Sequence, residues 1–291
     1  MRFLFYSIVP LLVLVTAIVL ACIAAYFILM GIGDQFPLDK VISKLTQLLL
    51  VLSIFPTMAI MNINKEQLGF TGGRLLLKQL MQGLCLGFVT LIPVFIVLYA
   101  LDITVLDEAY HWTVALVIKK LMIAFSLATI ISLIEEPVFR GILMAGLRKK
   151  LPVVAAVLIS SVYYAGLHFL DSSIKIPYQD VTLFSGFTLL QDAFANLLNP
   201  NIVSPFLALL MVGIFLGVLR TQVKSSLGLC IGCHTAWVWQ IKMSKSLFNT
   251  DFDSEYAVLV SNYDGVIGPL VTGWLFLPLC GFWLYRRRIV Q

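Results

Sequence analysis

Charge is what this chain has least of. Among its 291 residues, 20 Lys and Arg and 15 Asp and Glu make up 12%, about half the roughly 25% usual in soluble domains, while 60% is hydrophobic. So few polar groups cannot cover a folded surface of this size, which excludes water as the main solvent. A net charge of +5 does not make a nucleic-acid surface either. The only tight basic clusters, Arg148-Lys149-Lys150 and Arg286-Arg287-Arg288, abut apolar runs, where membrane topology signals sit. Cysteine is sparse as well: five residues, an odd number without framework spacing, all inside apolar stretches where a thiol behaves as a small hydrophobe. A disulfide scaffold is thereby excluded. Internal repeats, low-complexity tracts and a soluble second domain are also lacking.

What the chain does have is long apolar runs. A bilayer core about 30 Å thick needs roughly 20 apolar residues at 1.5 Å each. Eight segments meet or approach this, near 4–30, 41–61, 79–100, 114–147, 152–170, 204–220, 226–243 and 267–285. The expected fold is all-α, a polytopic membrane helical bundle of about eight transmembrane helices in a single domain over 1–291. The fourth segment exceeds a simple span and must tilt, kink or project. The sixth is short, and the seventh carries polar residues. Between the fifth and sixth, Val181 to Leu198 is apolar enough for a re-entrant or interfacial helix.

Placing the N-terminus in the cytoplasm puts twelve basic residues in inside loops and five in outside ones, and shifting by one span reverses the bias. Both termini are therefore expected to be cytoplasmic, in a bacterial inner membrane. The first segment has an apolar run of about 25 residues with Arg2 as its only basic flank, too long for a typical signal-peptide h-region. Val19-Leu20-Ala21-Cys22 loosely resembles a lipoprotein cleavage box.

Subtracting the loop charges leaves five, all on the fourth segment: Lys119, Lys120, Glu135, Glu136 and Arg140. The two lysines can snorkel to the outer interface on their long stems. Glu135, Glu136 and Arg140 lie in Ser132-Leu133-Ile134-Glu135-Glu136-Pro137-Val138-Phe139-Arg140-Gly141, well inside an apolar run. A charge at mid-membrane costs at least ~2.5–3.5 kcal/mol, so these three need partners and a purpose. Glu136 and Arg140, four apart, share a helix face and can pair. Glu135 points about 100° away and stays free. Pro137 removes a backbone donor and crowds the carbonyl of Leu133, which predicts a kink.

Of three histidines, His111 sits beside Trp112 in an outside loop as a solvated or interfacial residue. His168 ends Tyr164-Ala165-Gly166-Leu167-His168, and His234 lies in Cys233-His234-Thr235-Ala236-Trp237. At ~1.5 Å per residue, Glu135, His168 and His234 stand about 18, 24 and 12 Å above the cytoplasmic ends of their segments. They bracket the midplane within a turn or two, so tilt and a kink can bring them together.

Glu135-Glu136-Pro137-Val138-Phe139-Arg140 fits the EExxxR motif of the CPBP family, the CAAX proteases and bacteriocin-processing enzymes. Tyr164 to His168 resembles that family's FxxxH motif with Tyr for Phe, and His234 resembles the histidine opening HxxxN. The resemblance covers roughly 119–240, three motifs in order on three spans. Position 238 departs from it, being Val where the family carries Asn. The resemblance implies an intramembrane endopeptidase that cuts near the C-terminus or leader of membrane-associated or membrane-inserted protein substrates, with a glutamate instead of a serine or cysteine. Glu135 is then the base that activates water and His168 holds that water. His234 faces the developing oxyanion, and Glu136 and Arg140 fix the helix. The family's Asn, with the His, is thought to stabilise the oxyanion, and its loss leaves Thr235 or a backbone N–H as substitutes.

Other readings of the same residues stay open. Glu135, His168 and His234 make a plausible zinc set, although the chain has no HExxH, so a cofactor-free mechanism is preferred. Cys230-Ile231-Gly232-Cys233-His234 matches the CxxCH haem-attachment signature. Those thiols fall inside a span, however, and Gly228 to Gly232 reads equally as GxxxG packing. A catalytically silent binding or bacteriocin-immunity protein is a further alternative, favoured by Val238. So is a proton-coupled transporter, which would usually show repeated halves.

Overall fold

The computed structural model describes residues 2–108 and 112–290, with side chains over 8–108 and 112–285, so the expectation for His111 lies outside the described residues. Helices occupy all eight expected places. In chain order they are α1 (Arg2–Ile32), α2 (Leu38–Met61), a single turn α3 (Lys65–Leu68), α4 (Gly73–Ala100), α5 (Val114–Glu136), α6 (Met144–Arg148), α7 (Val153–Leu167), α8 (Ser185–Asn196), α9 (Val203–Gln222), α10 (Leu227–Leu247) and α11 (Pro269–Val290). Among the described residues, five stretches are long and apolar enough to cross a membrane: Ile8–Ile32, Leu38–Met61, Lys65–Ala100, Val114–Arg148 and Pro200–Gln222. The molecule is an all-α membrane bundle.

Three features differ in detail from the sequence pattern. The long fourth segment is not simply kinked at Pro137: a π-helical turn over Pro137–Leu143 joins α5 to α6. Proline cannot donate to the carbonyl of residue 133, so the ladder resumes at wider spacing, an arrangement frequent at functional sites. The fifth segment is shorter than expected, because α7 stops at Leu167 and places His168 at its C-cap. A two-stranded antiparallel ribbon, β1 (Thr104–Leu106) with β2 (Phe248–Thr250), ties the ends of α4 and α10 together, Thr104 opposite Thr250. Val181 to Leu198 does hold a helix, α8, lying against α1 and α2, with Gly186 pressed on Cys22.

The closest packing in the bundle is between α4 and α10, and glycine makes it possible. Gly83 on α4 meets Gly232 on α10, Gly87 lies against Cys233 and Ala236, and Gly228 lies against Leu76 and Gln79. A Cβ on Gly232 would stand 2.2 Å from the Leu80 carbonyl oxygen, and one on Gly83 would stand 2.3 Å from that of Leu229. In lipid, backbone approach of this kind drives helix association because apolar side chains gain nothing over lipid tails. The seam buries Cys230 and Cys233 completely and sets the rotation of α10, hence the direction of His234. Thr90 holds the far end, accepting from Trp237 Nε1 at its hydroxyl (2.8 Å) and from Trp274 Nε1 at its carbonyl (2.7 Å).

Gly232→Ala should therefore destabilise the protein by about 1–3 kcal/mol through overpacking, read as a lowered melting temperature in detergent. Gly281→Ala on α11, where the new methyl meets nothing within 4 Å, is the control and should melt like the parent.

Candidate active site

The π-turn sits at the centre of the bundle, against α2, α3, α7, α9 and α10. Glu136, the last residue of α5, and Arg140, within the turn, are 0% and 1% exposed, the two most enclosed charges among the described residues. They form the expected pair: Arg140 Nη1 donates to Glu136 Oε1 at 3.1 Å. The same oxygen accepts from His234 Nδ1 at 2.8 Å. The guanidinium also lies over the Tyr164 ring, Cζ 4.2 Å from its centroid, a cation–π contact strengthened by the absence of water. Tyr164 in turn stacks edge-on with both His168 and His234, at 4.6 and 6.1 Å between centroids.

One cation here was missed by counting charges. Arg220, expected among the inside-loop residues, is only 6% exposed. Its Nε donates to the Arg140 carbonyl (3.1 Å) and its Nη2 to the Gln67 carbonyl (2.8 Å). It thus satisfies a backbone acceptor in the π-turn and ties α9 to α3. Position alone, at the end of an apolar run, gave it the look of a topology signal.

Glu135 faces the other way. Its Oε2 is buried and accepts no hydrogen bond among the described residues, although His234 Nε2 stands 3.8 Å away. Glu136 Oε2 and Arg140 Nη2 are likewise without partners there, so the ion pair is single-pronged. His168 Nδ1 lies 2.8 Å from the Tyr164 carbonyl. A carbonyl only accepts, so the proton is on Nδ1 and the lone pair of neutral His168 is on Nε2. By the same reasoning Nδ1 of His234 donates to the Glu136 carboxylate. Its Nε2 can then donate only if the ring carries both protons.

Two cavities meet at this place. One, of about 300 Å³, lies among α1, α2, α7 and α8, with Asp39, Thr46, Gln47 and Asp171 in its wall. The other, of about 420 Å³, lies among α4, α9, α10 and α11, with Lys242, Lys245 and Asp264. Glu135, His168 and Tyr263 line both, and His234 and Val238 line the second. The structure therefore brings Glu135, His168 and His234 together, and keeps Glu136 and Arg140 behind them. Thr235, the expected substitute at the third motif, is 4% exposed and lines neither cavity.

Among the described residues no group of three or more His, Cys, Asp or Glu stands close enough together to hold a metal ion as they are placed. Cys230 and Cys233 are both fully buried in the glycine seam, Cys230 Sγ donating to the Leu216 carbonyl, and no haem could reach them.

Among known proteins, a family model described as type II CAAX prenyl endopeptidase Rce1-like matches residues 116–240. No curated protein and no solved structure matches the chain significantly. The match runs from early in α5 to the middle of α10 and so takes in the π-turn, both histidines and Arg220.

Removing one half of a buried ion pair leaves the other uncompensated, a loss of about 3–5 kcal/mol. Arg140→Met should lower thermal stability in detergent by that order. Arg140→Met with Glu136→Gln should recover a large part of it, which a double-mutant cycle measures directly.

Proposed function

We propose that the chain, whose residues 116–240 match the type II CAAX prenyl endopeptidase Rce1-like family model, hydrolyses a peptide bond within the bilayer, with Glu135 as the base that activates water. The observation that carries this reading is the position of Glu135: a buried, unpartnered carboxylate oxygen on the wall shared by two cavities, beside two histidines. A structural carboxylate would look like Glu136, which already has Arg140 and His234.

In the proposed reaction Glu135 takes a proton from water held between it and His168 Nε2. The water oxygen bonds to the scissile carbonyl carbon, and the carbonyl π pair moves onto oxygen. Collapse of this tetrahedral intermediate breaks the C–N bond, and the proton held by Glu135 passes to the leaving amine, so acid and base are one group used twice. His234, held at Nδ1 by Glu136, faces the developing oxyanion. Arg140 holds Glu136, and Tyr164 packs the cation and both rings into one block. No step uses a metal or cofactor. The substrate is a membrane-associated or membrane-inserted protein, its reactive segment lying across the two cavities near its C-terminus or leader. The basic-residue bias supports an orientation with both termini in the cytoplasm, and we place the protein in a bacterial inner membrane.

Val238 supports a second reading, a catalytically silent member that acts by binding. One assay separates the two: cleavage of a farnesylated peptide ending in Cys and three further residues, and of its unprenylated counterpart, by purified protein in vesicles. Wild type should cut. Glu135→Gln should lose at least ~10³-fold, and His168→Ala should lose on the order of 10²–10⁴-fold. Rates should be unchanged by a strong chelator. Uncut peptide with folded wild-type protein would establish the binding role, and chelator-sensitive cleavage would overturn the metal-free chemistry.

A further inference from the structure

The mechanism just given leaves the oxyanion poorly served. Val238 has no polar atom to offer, Thr235 is turned away from both cavities, and neutral His234 has a lone pair at Nε2 because its proton is committed to Glu136. An oxyanion donor typically contributes 10²–10³ in rate, so its absence would be costly. A donor for the oxyanion must lie on the wall that Glu135 and His168 share. Three residues line both cavities, and the third is Tyr263.

Tyr263 comes from the segment between α10 and α11, more than twenty residues beyond the family match, where no motif points. Its placement is fixed from several sides. The ring packs on that of Phe169, centroids 5.1 Å apart, and Phe169 follows His168 in the chain. The next residue, Asp264, accepts from the backbone N–H of Ile267 (2.7 Å) and Val266 (3.0 Å), closing a turn. Ser261 Oγ donates to the Ile267 carbonyl across the same turn. Tyr263 is 41% exposed, and its hydroxyl has no hydrogen-bond partner among the described residues.

We infer that the Tyr263 hydroxyl is the oxyanion donor that position 238 no longer supplies, so that the catalytic group lost from α10 is replaced from the loop that follows it. This rests on the hydrolytic reading above. The O–H donates a hydrogen bond to the carbonyl oxygen as that oxygen gains charge, and no proton leaves it. The proton inventory of the reaction is unchanged. The hydroxyl keeps its proton at any physiological pH, because burial first, and then the negative charges of Asp264, Glu135 and Asp171, push the phenol up to about 12. Unlike His234, it donates without first being charged. A peptide crossing from one cavity to the other would pass Glu135 and His168, which hold the water, and Tyr263, which faces the carbonyl.

Tyr263→Phe tests this while keeping the ring on Phe169. With the peptides above, kcat should fall on the order of 10²-fold, with KM within about twofold and the melting temperature unchanged. Val238→Asn restores an amide donor one helical turn beyond His234. Added to Tyr263→Phe, it should recover at least ~10-fold in kcat. An active wild type with undiminished kcat in Tyr263→Phe would overturn the assignment and leave the protease reading standing, as would a loss confined to KM or a loss not rescued by Val238→Asn. Inert wild type would overturn both.

Discussion

Glu136 and Arg140 sit at 0% and 1% exposure in a bundle with almost no other charge, and this single buried pair dictates the arrangement around it. Two charges out of water are tolerable only if every neighbour contributes, because the attraction between them barely offsets their desolvation. The contributions are visible one by one. His234 shares the accepting oxygen of Glu136, Tyr164 lays its ring under the guanidinium, and Arg220 holds the Arg140 carbonyl. Helices α5, α7, α9 and α10 are thereby locked to one π-turn. Glu135, the adjacent residue, is rotated away from the pair and is the one carboxylate of the two left without a partner.

The glycine seam supplies what the charges cannot. Electrostatics fixes which atoms of His234 and Glu136 meet, but α10 must first come close enough, and Gly83 and Gly232 allow the backbones of α4 and α10 to touch. Pro137 adds the third element. By breaking the α-helical ladder it creates, directly after the two glutamates, the π-turn that carries Arg140. The glutamate side chains, about 100° apart on α5, serve opposite purposes, one inward to the pair and one outward to the cavities.

Much of this was legible in the sequence. Apolar run length located every long helix, though not the single turn α3, and subtracting the loop charges isolated Glu135, Glu136 and Arg140, because charge inside lipid is costly enough to be informative. The i,i+4 spacing gave the ion pair, and three short motifs picked out His168 and His234. What stayed hidden depends on distance in the fold. Arg220 looks like a topology residue until α9 is seen to end against the π-turn. Tyr263 is one aromatic among many in a polar loop, with no periodicity or spacing to mark it. Gly83 and Gly87 become meaningful only once α10 is seen to lie against them, Gly232 opposite Gly83. The kink expected at Pro137 was right in place and incomplete in kind, since side-chain rules predict a lost donor but not how the backbone re-forms its ladder.

A carboxylate beside a peptide bond has two possible uses: it can activate water, or it can attack the carbonyl itself and form an anhydride. The separation of roles drawn here, with Glu135 as base, requires the first. A single turnover in ¹⁸O-enriched water, with enzyme in excess over peptide, distinguishes them. The account predicts one ¹⁸O in the new carboxylate after the first turnover and no peptide-sized mass added to the protein at any time. An adduct on Glu135, or a first-turnover product whose label is instead found in the enzyme carboxylate, would contradict it.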